Sequence, residues 1–235
     1  MNTAIVLAAG KGNRMNAGMN KQFIPILGKP LLAHTLEVFQ ACSLVDSIIL
    51  VAGRGELELC RQLIVEAYGF SKVDKLIEGG SERQESVYKG LLALETDCGV
   101  VMIHDGARPI FTGNLIERCI AGAEKYGAVS AGMPAKETVK ILDGKGFVKY
   151  TPQRELVWIT QTPQAFRRDL IRKAHENAIA EGISGTDDAS LVEILGEKVK
   201  MLESSYENIK VTTPEDIIVA ETLMGRRCPL KEEVR

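Results

Sequence analysis

The chain has 235 residues, a formal net charge of −2, 45% apolar and 26% charged residues. These values fit a globular protein with enough chain for a large core, and the near-zero charge excludes a nucleic-acid binder that works through a global basic face. Five scattered cysteines without a C-x-x-C pair (Cys42, Cys60, Cys98, Cys119, Cys228) argue against a disulfide framework or zinc site and for a reducing cytoplasm, and no apolar run approaches the roughly 18 residues of a membrane span.

Strand-like runs at 3–8, 47–52, 73–77, 99–103 and 128–132 alternate with helix-like stretches. Segment 30–42 opens with Pro30 at a first helical position and carries Leu32, Leu36 and Phe39 on one face. Segment 55–68 places Leu59, Leu63 and Ala67 at a spacing of four, as an amphipathic helix does, and 82–94 does the same with Val87, Leu91 and Leu94. Segment 112–126 begins at a Thr112 cap and shows Leu115, Ile116, Cys119, Ile120 and Ala123. This alternation predicts an α/β, Rossmann-like, mostly parallel sheet with helices on both faces. Ligands of such folds sit beyond the carboxyl ends of the strands, here after Leu7, Ile77 and Ile103.

The pattern changes near residue 137. Segments 138–142 and 147–151 flank Asp143-Gly144-Lys145-Gly146 and predict a projecting β-hairpin with a four-residue turn. It is too small to bury its own core; a second subunit is the economical partner, and its own domain is the alternative. An extended segment (156–162), helices at 167–181 and 186–195, strand-like 198–202 and 207–212, and a last helix (214–225) follow. Residues 1–225 are expected to form a single domain with the arm, about 137–154, inserted, and 226–235 a C-terminal tail.

The most informative stretch is Leu7-Ala8-Ala9-Gly10-Lys11-Gly12-Asn13-Arg14-Met15, followed by Lys21-Gln22-Phe23. A strand running into Ala-Ala-Gly-x-Gly leaves backbone bare of side chains, free to approach a nucleotide and point N–H groups at phosphates. Arg14 and Lys21 then supply cations for a polyphosphate. Neither a dinucleotide fingerprint nor a P-loop fits, because Met15 stands where either would need another residue. Gly79-Gly80-Ser81-Glu82-Arg83-Gln84-Glu85-Ser86 lies between a strand and a helix, where Ser81 reads equally as a helix cap or part of an anion site. In His104-Asp105-Gly106-Ala107-Arg108-Pro109, Asp105 at a strand end can accept sugar hydroxyls or stand near a metal ion, and Arg108 offers a fork to phosphate; a local ion pair is the plainer alternative. His104 reads as a structural hydrogen-bonding residue, and the three dispersed histidines make a protein-bound transition-metal centre improbable. Lys210 falls in a strand-like segment, where a lone Lys usually faces solvent, and Thr186 or Asp187 reads as a cap.

Together these segments resemble the 2-C-methyl-D-erythritol 4-phosphate cytidylyltransferases of the non-mevalonate isoprenoid pathway. The resemblance runs from about residue 3 to 224 through Leu-Ala-Ala-Gly-x-Gly-x-Arg-Met, Lys-Gln-Phe, Glu-Gly-Gly-x-x-Arg-x-x-Ser-Val, His-Asp-x-Ala-Arg-Pro, Thr-Pro-Gln-Ala-Phe, Thr-Asp-Asp-Ala and Asn-Ile-Lys-Val-Thr, in that order. It implies transfer of CMP from CTP to the methylerythritol phosphate with Mg²⁺, or another divalent cation, held mainly by CTP phosphates rather than by protein ligands. It also implies a cytoplasmic homodimer joined through the hairpin arms, with neither nucleic acid nor membrane as partner.

Carried over by motif, Ala8, Ala9, Gly10, Gly12, Gly80, Ser81, Arg83, Ser86 and Ala107 would bind the nucleotide. The family often has Asp where this chain has Ser81. Arg14 and Lys21 match its transition-state stabilisers. Asp105, Arg108, Thr162, Thr186 and Lys210 match positions around the polyol phosphate, and Thr138 and Arg154 match arm residues that reach the partner's site; Arg154 and Lys210 are also expected to aim the reacting phosphate. The nearest rival is a D-ribitol 5-phosphate cytidylyltransferase with the same nucleotide site. A nicotinamide-dependent dehydrogenase is disfavoured by the failed glycine fingerprint. A non-catalytic CTP-binding module is disfavoured by the retention of both Arg14 and Lys21.

Overall fold

The computed structural model describes residues 1–10 and 20–227. Seven strands form one sheet in the order β11-β7-β10-β6-β1-β4-β5. These are β1 (Asn2–Ala8), β4 (Ser47–Ala52), β5 (Val73–Glu78), β6 (Val100–Asp105), β7 (Ala128–Pro134), β10 (Trp158–Arg167) and β11 (Lys200–Glu203). Two small hairpins stand apart: β2 (Pro25–Ile26) with β3 (Lys29–Pro30), and β8 (Ile141–Leu142) with β9 (Val148–Tyr150).

β1 lies between β4 and β6, parallel to both, with Ala8 opposite Ala52 and Leu7 opposite Asp105. Side chains alternate along it: Ala4, Val6 and Ala8 join the core beneath one helical layer and Ile5 the core beneath the other. One layer holds α1 (Leu31–Ala41), α2 (Leu57–Cys60) and α4 (Gly113–Tyr126). The other holds α3 (Arg83–Leu92), α5 (Arg168–Ala180) and α6 (Asp188–Ile194). A third apolar cluster seats α7 (Pro214–Arg227) against Ile24, Ile26 and Leu31. The mostly parallel sheet with helices on both faces is therefore as the sequence predicts.

The stripes on α1 and α4 are buried as read, and the Thr112 hydroxyl accepts the Leu115 N–H at 3.3 Å. Four local readings are corrected. Pro30 flanks α1, which begins at Leu31. In segment 55–68 the buried pair is Cys60 and Ile64, while Leu59 and Leu63 are exposed. Two stripes at a spacing of four lie side by side there, and α2 runs on as a π-turn over Arg61–Glu66, whose wider pitch turns the chain relative to a regular helix. The extended segment read at 156–162 is extended from Trp158, where β10 begins, and its start is corrected by a short 3₁₀ turn over Arg154–Leu156. That strand runs to Arg167, antiparallel to β6 and β7, with its register broken between Thr160 and Gln164 around Pro163. Segment 207–212 makes no strand. Val211 is buried in the third cluster and its N–H donates to the Ala107 carbonyl at 2.8 Å, a single tie rather than a ladder.

The arm forms as a hairpin, shorter than predicted. Asp143 Oδ1 accepts the N–H groups of Lys145 (2.8 Å) and Phe147 (3.0 Å), and Gly146 takes φ +88°, a conformation that favours glycine. Leu142, Phe147, Val148 and Tyr150 are exposed, Phe147 at 72%.

Candidate active site

A cavity of about 450 Å³ opens beyond the carboxyl ends of the central parallel strands. One end is built from small residues. Ala8 closes β1 and Ala9 and Gly10 follow it, Gly53 follows β4, and Gly80 lies just beyond β5. The approach is close enough to dictate residue type. A Cβ on Gly79 would lie 2.6 Å from the Ala9 Cβ and 2.8 Å from the Ser86 Oγ. The start of α3 closes this wall. Ser86 Oγ accepts the Gly80 N–H at 2.9 Å and donates to the Glu82 carbonyl at 3.0 Å. Ser81 is not the cap, since Glu82 is the flanking residue. Instead the Ser81 N–H and hydroxyl donate to the Glu85 carboxylate at 2.7 and 2.9 Å, bonds that hold that carboxyl below its ordinary range.

The other end is charged. Asp105 closes β6 and is 7% exposed. Lys210 Nζ lies 2.8 Å from its carboxylate, Arg83 Nε 3.5 Å and Arg108 Nε 3.6 Å. Burial alone would raise the Asp105 pKa; Lys210, Arg83 and Arg108 outweigh it and hold the carboxyl well below the usual range. Arg83 reaches on to the buried Asp188, with Nη1 at 2.8 Å from Oδ2. Asp188 sits at the start of α6, whose cap is Asp187 in a reciprocal box with Ser190, so Thr186 is not the cap.

Behind Asp105 the proton positions are settled by the acceptors. His104 is fully buried and its burial pushes the pKa down to about 4, so the ring is neutral. The Arg108 carbonyl, 3.1 Å from Nε2, can only accept, so Nε2 carries the proton. Nδ1 then accepts from the Thr162 hydroxyl at 3.1 Å, and that hydroxyl accepts the Asp105 N–H at 3.1 Å. His104 is thus structural, as its sequence context suggests. Asn208 anchors the segment that delivers Lys210: its Nδ2 donates to the Thr162 carbonyl at 2.8 Å, and its own carbonyl accepts Arg108 Nη1 at 2.8 Å. Lys210 therefore sits outside any strand, half-buried and turned to Asp105.

Of the residues singled out from sequence, Ala8, Ala9, Gly10, Lys21, Gly80, Ser81, Arg83, Ser86, Asp105, Ala107 and Lys210 line this one cavity. Arg108 and Thr162 stand directly behind Asp105. Thr186 lines a small adjoining hollow of about 30 Å³ with Arg83 and Asp188. Gly12 and Arg14 lie outside the described residues. Thr138 and Arg154 are exposed on the arm segment and do not line this chain's cavity. Arg54 and Glu56 line it without having been read from sequence, and so does Gln22, which stands in the Lys-Gln-Phe motif without a role assigned from sequence. The signal for Arg54 was present: Gly53-Arg54-Gly55 follows strand 47–52 at a carboxyl end. Among the described residues no group of three or more His, Cys, Asp or Glu is placed to hold a metal ion, and no helix is long and apolar enough to cross a membrane.

A parallel sheet whose carboxyl end combines bare backbone, a helix N-terminus and clustered cations defines a nucleotide-binding α/β enzyme class. Comparison with known proteins narrows it. The family model for IspD, 2-C-methyl-D-erythritol 4-phosphate cytidylyltransferase, matches residues 2–226, and the chain belongs to that family. A 2-C-methyl-D-erythritol 4-phosphate cytidylyltransferase of Clostridium acetobutylicum is 49% identical over 226 residues, covering 96% of this chain and 98% of the relative. That of Alkaliphilus oremlandii is 47% identical over 225 residues, covering 96% and 95%. The crystal structure of 4-diphosphocytidyl-2C-methyl-D-erythritol synthase from Anaerococcus prevotii matches with a TM-score of 0.87 at 35% identity, over 96% of both chains.

Proposed function

We propose that this chain transfers the cytidylyl group of CTP to 2-C-methyl-D-erythritol 4-phosphate, releasing pyrophosphate, in the non-mevalonate route to isoprenoid precursors. Beside its family membership, one observation carries the reading: a single cavity joins a small-residue wall that suits a nucleotide to a charged end that suits a phosphate. Residues 1–225 act as one nucleotidyltransferase domain with the arm at 137–154 inserted. Its setting is the cytoplasm, in keeping with the buried free thiols of Cys42, Cys60, Cys98 and Cys119.

The polyol phosphate is already an anionic nucleophile, so the reaction needs no general base. This agrees with a His104 whose two nitrogens are both occupied. One of its phosphate oxygens forms a bond to the α-phosphorus of CTP in line with the bond to the β-phosphate, which breaks and leaves its electron pair on pyrophosphate. Positioning and electrostatics carry such a reaction. Ala8, Ala9, Gly10, Gly12, Gly80, Ser81, Ser86 and Ala107 enclose the nucleoside, with Arg83 at its side. Arg14 and Lys21 hold the α-phosphate oxygens. Asp105 and Thr162 orient the polyol end, where Arg108, Thr186 and Lys210 stand by its phosphate.

Asp105, the buried carboxylate of the cavity, is already matched by Lys210, Arg83 and Arg108, and Glu56 is bonded to Gln22. The described residues therefore do not build a metal site of their own, and they fit a divalent cation carried in on the CTP phosphates. When bound, that ion supplies charge neutralisation on the polyphosphate.

We also propose a homodimer. The exposed Leu142, Phe147, Val148, Tyr150 and Leu156 form an apolar arm that an isolated hairpin cannot bury. In the dimer, Thr138 and Arg154 reach the partner's polyol phosphate, and Arg154→Ala raises the KM for the polyol phosphate while leaving that for CTP unchanged.

The test is pyrophosphate release with CTP and Mg²⁺ and either 2-C-methyl-D-erythritol 4-phosphate or D-ribitol 5-phosphate. Preference for the first is expected. Preference for the second moves the chain to the sister reaction. Release with neither, despite CTP binding, leaves a non-catalytic nucleotide-binding module.

A further inference from the structure

We propose that Glu56 is a positioning residue for the transfer: through Gln22 it fixes the turn that presents Lys21 to the cavity. The inference rests on Lys21 acting at the α-phosphate, as read above.

Lys21 belongs to a single 3₁₀ turn, Lys21–Phe23, closed by Phe23 N–H to the Asn20 carbonyl (3.0 Å) and Ile24 N–H to the Lys21 carbonyl (3.2 Å). The Asn20 side chain gives it no cap bond. One such turn does not hold itself, because its few backbone bonds do not offset the dihedrals they fix. With three residues per turn, consecutive side chains point to three faces. Lys21 and Gln22 line the cavity wall, and Phe23 packs on the core beneath α1. What holds Gln22 and Phe23 therefore helps to set how the turn presents Lys21.

Gln22 is held by Glu56. Its side chain is 3% exposed, and its Nε2 donates to Glu56 Oε2 at 2.6 Å, a short bond to a charged acceptor. Glu56 is itself fixed. Its N–H donates to the Gly53 carbonyl at 3.0 Å, and its carbonyl accepts from Cys60, a fully buried residue of α2, at 2.8 Å. Its carboxylate occupies the space over Gly53, where a Cβ would come within 2.3 Å of Oε2. Gly53 thus leaves room for this one placement of the carboxylate. Burial raises the Glu56 pKa, and its bonds to Gly53 and Gln22 act against that rise. The chain of contact runs from the end of β4 through Glu56 and Gln22 to the turn carrying Lys21.

The experiment compares Glu56→Ala and Glu56→Gln with the unaltered full chain in two readouts, steady-state turnover and amide hydrogen exchange of segment 20–24. Glu56→Ala is expected to lower kcat about 10- to 100-fold, the scale for a displaced catalytic group, with KM for CTP changed less than about threefold on the same scale. Exchange at 20–24 rises in the same variant. Glu56→Gln, whose amide oxygen can accept the same Gln22 N–H, recovers most of both. Unchanged exchange at 20–24 in Glu56→Ala overturns the inference. So does increased exchange with full turnover, or a Glu56→Gln variant as slow as Glu56→Ala. If the unaltered chain releases no pyrophosphate, the transfer reading fails instead, and the exchange comparison still decides whether Glu56 fixes the turn.

Discussion

The two ends of the cavity solve different problems. At the glycine end several polar groups of the wall are occupied locally: Gly80 N–H with Ser86, Ser81 with Glu85, and the Gly79 carbonyl with Lys89 Nζ at 2.9 Å. Selection there is by shape, set by how near Ala9, Gly79 and Ser86 approach one another. At the Asp105 end, Arg83, Arg108 and Lys210 face two carboxylates, Asp105 and Asp188. One positive charge remains uncompensated, which favours an arriving phosphate. Small residues make a site that excludes, and an excess of cations makes one that attracts. Lys21 stands in the same wall, where the α-phosphate lies in the proposed reaction.

Substitutions at each end sharpen that contrast. The largest effect is expected at the junction: Lys21→Ala lowers kcat about 10²–10³-fold, the scale for one preorganised charge-stabilising donor. Near-normal turnover in a steady-state assay removes Lys21 from the chemistry. At the charged end, Asp105→Asn leaves Lys210 and Arg108 without their carboxylate while Arg83 keeps Asp188, and it costs about 3 kcal/mol in urea unfolding, at the low edge of the range for a broken buried pair because Lys210 keeps partial exposure.

Acid probes the same end by another route. The folded pKa of His104, about 4, lies below the ordinary histidine value of about 6.5, so the unfolded chain takes up the proton first. Stability from this residue is full above about 6.5 and falls by about 3 kcal/mol as pH drops towards 4. Unfolding at pH 7.0 and 4.5 reads the loss, and His104→Gln removes that portion of it. Asp105, with its depressed pKa, contributes stability that is present above the ordinary carboxylate range and disappears as pH falls below that range.

The smallest effect belongs to the shape-selective end. Gly79→Ala costs about 1–3 kcal/mol from overpacking and raises KM for CTP more than that for the polyol phosphate. Equal effects on both substrates would mean that the two ends do not act separately.

The sequence by itself determined the layers of this protein. The apolar run of β1, the stripes of α1 and α4 and the Thr112 cap are local patterns, and local spacing decides which side of an element can be buried. It also singled out residues that line the cavity, because Ala8 to Gly10, Gly80, Ser81 and Asp105 stand at or just beyond the ends of readable strands. Tertiary structure alone decided the rest. Cys60 and Ile64 rather than Leu59 and Leu63 enter the core, since two equivalent stripes differ only in what they meet. The polar stretch of β10 pairs between β6 and β7 because Ser130 and Asp187 accept from the buried Gln164 at 3.0 and 2.7 Å. Lys210 faces Asp105, and Gln22 meets Glu56, through contacts between segments far apart in the chain. Spacing within a segment carries no record of such partners: a charge or an amide is placed by the group that compensates it, and that group arrives only when the chain folds.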